Sequence, residues 1–179
     1  VQVLYNTSGK ISGARVINYL LERTRIVQPP GEGERTYHIL YELLNCGEPQ
    51  LLEAMHLHNL SPFNFRCLVP DNADPLDRSI VRPVRVEDIS IQAVRRSLSL
   101  LGLSSPLQDD LFMLLASVLH ITSVDFALVE GTDGSVGSQV DQASMERLRS
   151  AASLLGLTLH PLRFALPTRV QKVRGERFD

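Results

Sequence analysis

The sequence has few cysteines, no long apolar run and almost no net charge, and each absence excludes a class of protein. Cys46 and Cys67 are its only cysteines and show no Cys-x-x-Cys spacing, so we expect neither disulfides nor bound metal and a reduced, cytoplasmic setting. The longest apolar run, residues 111–119, contains a serine and is far shorter than the roughly 20 residues that cross a bilayer, which argues against membrane insertion. The net charge of −2 argues against a nucleic-acid partner, which needs a basic face.

The first residues indicate a β-hairpin. Residues 1–5 are strand-like from the first position, residues 7–10 (Thr-Ser-Gly-Lys) have turn chemistry, and residues 11–21 carry β-branched and aromatic side chains. A two-stranded hairpin is marginally stable alone, and its edges invite another strand. We therefore expect a sheet beside it, and we interpret the chain as a piece of a longer protein.

The remainder predicts mostly helix, because apolar residues recur at helical spacing between helix-ending glycines. The predicted helices cover residues 34–45, 49–57, 87–101, 105–119, 144–155 and 161–166, with Ser105 as the N-cap of the fourth. Residues 61–77 hold three prolines and predict an irregular surface connection. A short strand is predicted over 121–129, and a flexible exposed loop over 131–138. The fold class expected from this pattern is mostly α with a short N-terminal β-hairpin.

Two motifs near the N-terminus are the most specific in the chain: YLLERTRI at residues 19–26 and ERTYHILYELL at 34–44. They resemble the segment that follows the nucleotide-sensing switch I loop in myosin motor domains. Further segments are similar to that family in the same order: GKISGARV at 9–16, LSLLGL at 98–103, LASVLHITSVDF at 115–126 and AASLLGL at 151–157. Residues 121–123 depart from the family's Leu-Gly-Asn, and Thr24 and Thr36 replace its Ser and Asn, which indicates a divergent class.

The resemblance implies a fragment of the α/β P-loop NTPase-type motor fold. It implies two transducer-type strands at 1–22, a helical upper actin-binding subdomain at 23–166 and a basic actin-facing hairpin at 167–179. The parent would be an actin-activated ATPase of the cytoskeleton that uses ATP and magnesium. Because no phosphate loop, switch I or switch II is recognised in these residues, we expect this chain alone to bind neither cofactor and to be inactive. The implied partners are the actin filament and the remainder of the motor domain.

The candidate contact residues lie in the C-terminal tail. Between residues 168 and 178 there are four cations, Arg169, Lys172, Arg174 and Arg177, and one anion. The tail resembles the myosin surface hairpin known as the cardiomyopathy loop, which touches actin in that family. A cationic hairpin favours approach to an acidic filament, an effect that weakens with salt. The alternative is a solvated basic strand with no partner. Residues 131–141 correspond to a second actin-facing loop of the family but carry no Lys or Arg, so we expect no strong contact there.

Other candidate sites have simpler interpretations. Ser8, Gly9 and Lys10 resemble a phosphate loop, but Leu4 and Ile11 stand where that motif requires Gly and Ser or Thr, so a hairpin turn is expected. Asp109 and Asp110 suit a helix N-terminus and need not be catalytic. The five histidines fall on different predicted elements, and we expect structural or surface roles for them.

Three hypotheses of function follow. In the first, the chain is the actin-contacting and strain-transmitting part of a myosin-like motor that couples ATP hydrolysis to force. In the second, it is a stand-alone, non-catalytic actin-binding or scaffold module derived from such a motor. In the third, it is an unrelated helical adaptor, whose first strand would pair with no sheet outside the chain.

Overall fold

Helices are the predominant regular structure of the described chain, and its strands occur as three separate two-stranded antiparallel hairpins. The computed structural model describes residues 1–17, 22–71, 73–74, 90–130 and 136–168, together with the backbone of 171–173 and 176–178. The helices are α1 (Thr24–Val27), α2 (His38–Leu44), α3 (Pro49–Ala54), α4 (Ile91–Leu100), α5 (Ser105–Thr122), α6 (Met145–Leu154) and α7 (Leu159–Ala165). The strands are β1 (Gln2–Tyr5), β2 (Ile11–Arg15), β3 (Phe126–Glu130), β4 (Val136–Val140), β5 (Gln171–Val173) and β6 (Glu176–Phe178).

The predicted N-terminal hairpin is confirmed. β1 and β2 pair antiparallel, with a register irregularity between Leu4 and Tyr5. The side chain of Asn6 organises the turn, and Gly9 adopts a φ of +74°, which glycine tolerates without strain. β2 ends at Arg15, earlier than predicted, while residues 18–21 of the predicted strand lie outside the described residues.

The main core is built around α5, whose side chains contact α2, α4 and α6. Phe112, Ala116 and Leu119 lie on one side of α5 and are fully buried, as the spacing of three and four residues requires. Leu114 is half exposed, so α5 is not buried on every side. The N-cap position is held by Ser104, one residue before the predicted Ser105.

Residues 61–68 correct the prediction of a surface connection. They form two short 3₁₀ turns, Pro62–Asn64 and Arg66–Leu68, and the first is stabilised by a reciprocal capping box between Ser61 and Asn64. Phe65 lies between the turns and is fully buried, as is Leu68. The segment is therefore part of the core. Prolines and polar residues supply the turns here, while the apolar residues between them point inward.

The region after α5 also differs from the prediction. Residues 121 and 122 still belong to α5, so the strand predicted over 121–129 begins only at Phe126. The loop predicted over 131–138 is wrong from Val136 onward, because β4 pairs with β3 along its full length; residues 131–135 lie outside the described part. Val140 at the end of β4 is buried with Val124 and Leu148, and α7 packs against this second, smaller cluster.

Candidate functional site

The cationic tail forms a short hairpin. β5 and β6 pair antiparallel, and the backbone of Lys172 lies directly opposite that of Arg177. The ladder thus brings two of the four predicted contact residues to one rung. Arg169 and Arg174, the other two, lie outside the described residues. The hairpin follows α7, which packs on the small cluster around Val140.

The β3–β4 hairpin presents apolar side chains to solvent. Phe126, Leu128 and Val136 are all exposed, Leu128 to 80%, while Val140 on the same ribbon is buried at its base. The two strands contain neither Lys nor Arg. The sequence does not reveal this exposed apolar surface, because glycine and serine in residues 131–138 obscure the alternation of apolar and polar residues that is typical of a strand.

The segment that carries the two N-terminal motifs is held by local polar contacts. Nε of Arg25 lies 2.7 Å from a carboxylate oxygen of Glu22. This hydrogen bond lowers the pKa of Glu22 and raises the pKa of Arg25. Arg25 also donates to the backbone carbonyl of Arg35 at 3.1 Å. The hydroxyl of Thr36 donates to the carbonyl of Arg25 at 2.5 Å, so α1 is tied to the residues just before α2.

The turn at residues 7–10 does not fit a phosphate group. The amides of Ser8 and Lys10 both donate to the side-chain oxygen of Asn6, at 3.0 and 2.9 Å, and the amide of Gly9 donates to its carbonyl. A phosphate cradle needs free amides that point at the ligand. Here those amides already donate hydrogen bonds within the turn, so they are not free to bind a nucleotide phosphate.

The N-terminal hairpin is apolar on both faces. Successive residues of a strand point to opposite faces, and Val3 and Leu4 are both exposed, as are Tyr5 on the same strand and Ile11 on its partner. A hairpin that packed on this chain's own core would hide one face. This one therefore presents two sheet faces that the described residues leave uncovered.

The described residues hold no group of three or more His, Cys, Asp or Glu side chains placed to bind a metal ion. Two of the five histidines lie close to each other: the ring centroids of His56 and His120 are 6.5 Å apart. His120 is one of the few polar side chains of α5 that are buried. None of the described helices is long and apolar enough to cross a membrane.

A family model described as the myosin head (motor domain) matches residues 1–178. The chain belongs to the myosin head family. It is similar to Myosin-3 of Arabidopsis thaliana, with 29% identity over 180 residues that cover 98% of this chain and 14% of that protein. Myosin-16 of the same plant is 34% identical over 95% of this chain and 13% of its own length. The Myosin-I heavy chain of Dictyostelium discoideum is 32% identical over 99% of this chain and 7% of its own length.

This myosin-head chain thus spans about a tenth of the length of the curated relatives it matches. The match covers both motif regions, the core helices and the cationic tail. It confirms the family inferred from the residues at 19–26 and 34–44. It also confirms the fold class, a mostly helical fragment of the motor fold with an N-terminal β-hairpin.

Proposed function

We propose that this chain is the part of a myosin-type motor that contacts the actin filament and transmits strain between that contact and the nucleotide site. The observation that carries the proposal is the family match over residues 1–178. In this proposal the remainder of the motor holds ATP and magnesium, and the protein works in the cytoplasm on the cytoskeleton. The chain alone has no ATPase activity.

The hairpin at residues 2–15 supports the role in strain transmission. Both of its faces carry exposed apolar side chains, and among the described residues no third strand pairs with its edges. Such a ribbon is stabilised when it lies inside a larger sheet whose faces are covered. In the proposed motor that sheet belongs to the remainder of the motor domain, and its movement reaches α2 through α1 and the Arg25–Thr36 contact.

The cationic tail supports the role in filament contact. Lys172 and Arg177 occupy one rung of the β5–β6 ladder, and Arg169 and Arg174 flank β5 in sequence. Four cations within a short tail of a chain whose net charge is −2 produce a local positive field. Such a field steers association with an acidic polymer, and salt screens it over about 10 Å at 0.1 M ionic strength.

Cosedimentation with actin filaments tests the contact. The chain is compared with a variant in which Arg169, Lys172 and Arg174 are replaced by alanine. A matched control replaces three exposed cations elsewhere, Lys10, Arg96 and Arg149, so that the change in net charge is equal. We expect the tail variant to lose filament binding and the control to retain it, and we expect added salt to weaken binding by the unmodified chain. Equal binding by all three proteins would refute the tail contact.

Nucleotide hydrolysis separates the two parts of the proposal. The chain alone should hydrolyse no ATP with or without actin, whereas a longer protein that includes the remaining motor domain should be stimulated by actin. Actin-stimulated turnover by the isolated chain would contradict the assignment of catalysis to the rest of the motor. Filament binding by a longer protein without any hydrolysis would favour the non-catalytic actin-binding module instead.

A further inference from the structure

His120 is buried where α5 meets the end of α3. Its side chain is 1% exposed, and Nε2 lies 3.1 Å from the backbone carbonyl oxygen of Met55. Because a carbonyl only accepts hydrogen bonds, Nε2 carries the proton, and Nδ1 of the neutral ring carries none. Nδ1 has no hydrogen-bond partner among the described residues. A second proton on the ring would therefore enter a buried position that supplies no acceptor.

The carbonyl that His120 contacts belongs to an unusual helix end. Met55 is the C-cap of α3, and the amide of Leu57 reaches back to the carbonyl of Leu52 at 2.8 Å. This arrangement normally places glycine between the cap and the returning amide. Here the position is held by His56 with a φ of 56°, and Asn59 is left-handed too, with a φ of 60°. The hydrogen bond from His120 thus satisfies a terminal helix carbonyl beside a strained turn.

The groups that face His120 are cationic or apolar. The ring of Phe65 meets it edge-on at 6.0 Å, and the guanidinium of Arg147 on α6 stacks on the same Phe65 ring at 4.8 Å. The turn after α3 contributes His56. None of these groups is a carboxylate. Burial lowers the pKa of His120 to about 4; repulsion by Arg147 and His56 adds to this effect, and the hydrogen bond to Met55 opposes it.

We propose that His120, Phe65 and Arg147 form an acid-sensitive latch, in which a proton on Nδ1 of His120 releases the turn at residues 55–60 and α6 from α5. In this proposal α5 keeps its packing on α2 and α4, which contribute none of the three latch side chains.

The pH range over which the latch opens follows from the linkage between protonation of His120 and opening. An exposed histidine has a pKa near 6.5, so the open latch binds the proton more tightly than the closed latch. The equilibrium constant for opening therefore rises by up to about tenfold for each pH unit below about 6.5. The rise ends near pH 4, where the closed form also binds the proton. Above about pH 7 the equilibrium constant for opening no longer depends on this proton.

Amide hydrogen exchange of the chain between pH 7 and pH 4, corrected for intrinsic rates, tests the latch. The amides of Leu57 and Leu60 report on the turn, and the amide of Leu103, which donates to the carbonyl of Leu98 at 3.0 Å, reports on the end of α4. We expect Leu57 and Leu60 to lose protection as the pH falls while Leu103 keeps it. Loss of all three together would show global unfolding and overturn the proposal.

Two variants and one control variant test whether His120 and Arg147 cause the effect. His120→Gln keeps an amide donor for Met55 and is neutral at every pH, so it should abolish the acid-dependent loss at Leu57; His160→Gln, an exposed histidine on α7, should leave it unchanged. Arg147→Met keeps an apolar cover on Phe65 but removes the cation, so the loss should become smaller. Acid opening of His120→Gln like that of the parent overturns the latch. If that variant fails to fold, an unchanged pH dependence in Arg147→Met overturns it.

Discussion

The hydroxyl group of Tyr41 donates a hydrogen bond to the backbone carbonyl oxygen of Leu68 across 2.8 Å. Both residues are buried, and burial also raises the pKa of the Tyr41 hydroxyl above its usual range. The bond joins α2 to the second 3₁₀ turn, 27 residues further along the chain. It therefore closes the segment at 61–68 over the core.

Replacement of Tyr41 by phenylalanine should destabilise the chain by about 1–3 kcal/mol, because the buried carbonyl of Leu68 loses its donor while the ring packing remains. Urea unfolding followed by circular dichroism measures the change. Tyr5→Phe is the control: Tyr5 is 62% exposed, and its replacement should change the free energy of unfolding by less than about 0.5 kcal/mol. Equal effects of the two changes would mean that the hydrogen bond contributes nothing.

Arg95 connects α4 to α5 by two kinds of contact. Its Nη2 lies 2.8 Å from a carboxylate oxygen of Asp109, and its guanidinium carbon lies 4.8 Å from the centre of the Phe112 ring. Because Asp109 is half exposed, Asp109→Asn should cost less than about 1 kcal/mol, and the cost should shrink in salt. Arg95→Ala should cost more, about 1–2 kcal/mol, since it also removes the packing on Phe112.

A double-mutant cycle at two salt concentrations checks this. The coupling between Arg95 and Asp109 should fall as salt increases, while the excess cost of Arg95→Ala should not. A salt-independent coupling would indicate a tight buried pair instead.

The sequence predicted correctly those elements whose formation depends on residues close together in the chain. The hairpin at residues 1–15 follows from its turn chemistry, and α4 ends where Gly102 takes up a left-handed φ of +87°. β4 was not predicted, because Gly137 and Ser138 have low strand propensity and only pairing with β3 makes this segment a strand. The burial of Phe65 was not predicted either, because prolines and Asn around it are typical of surface loops.

The candidate functional residues also differ in how far the sequence predicts them. The cationic tail is visible in the sequence because its charges are neighbours, and the structure adds that Lys172 lies opposite Arg177. The contact of His120 with Met55 joins residues 65 positions apart, and no local pattern predicts such a pairing. Neither histidine spacing nor helix periodicity identifies a ring whose partner is a single backbone carbonyl.

The two cysteines should resist thiol reagents in the folded chain. Cys46 and Cys67 are both buried, and burial raises the pKa of each thiol, so the reactive thiolate is scarce at pH 8. Labelling by a chromogenic disulfide reagent should be limited by unfolding and become fast in concentrated urea. A Ser8→Cys variant, which places a thiol in the exposed turn, should label rapidly without urea. Rapid labelling of the unmodified chain would show that the core opens readily.

Truncation of Leu119 to alanine should cost about 2–5 kcal/mol, because the side chain is fully buried on the core side of α5 and its removal leaves a cavity. Leu100 makes a matched control at the end of α4: it is 89% exposed, and its truncation should change stability by less than about 0.5 kcal/mol. Urea unfolding of both variants measures the difference, and a comparable loss in Leu100→Ala would mean that the end of α4 is covered in solution.

The N-terminal hairpin should be weakly protected in this chain and strongly protected in a longer motor. Its two strands pair only with each other among the described residues, and both faces carry exposed apolar side chains, whereas an isolated two-stranded hairpin is marginal in water. Amide hydrogen exchange of residues 2–5 and 11–15 should therefore be fast in the isolated chain. It should slow by several orders of magnitude in a protein that also contains the rest of the motor domain, because strand pairing and burial raise the free energy of opening. The amide of Leu103, which donates to the carbonyl of Leu98 in α4, is the internal reference and should be protected in both proteins. If the hairpin amides exchange equally fast in both, the strands do not join a larger sheet, and strain cannot pass through them to α2.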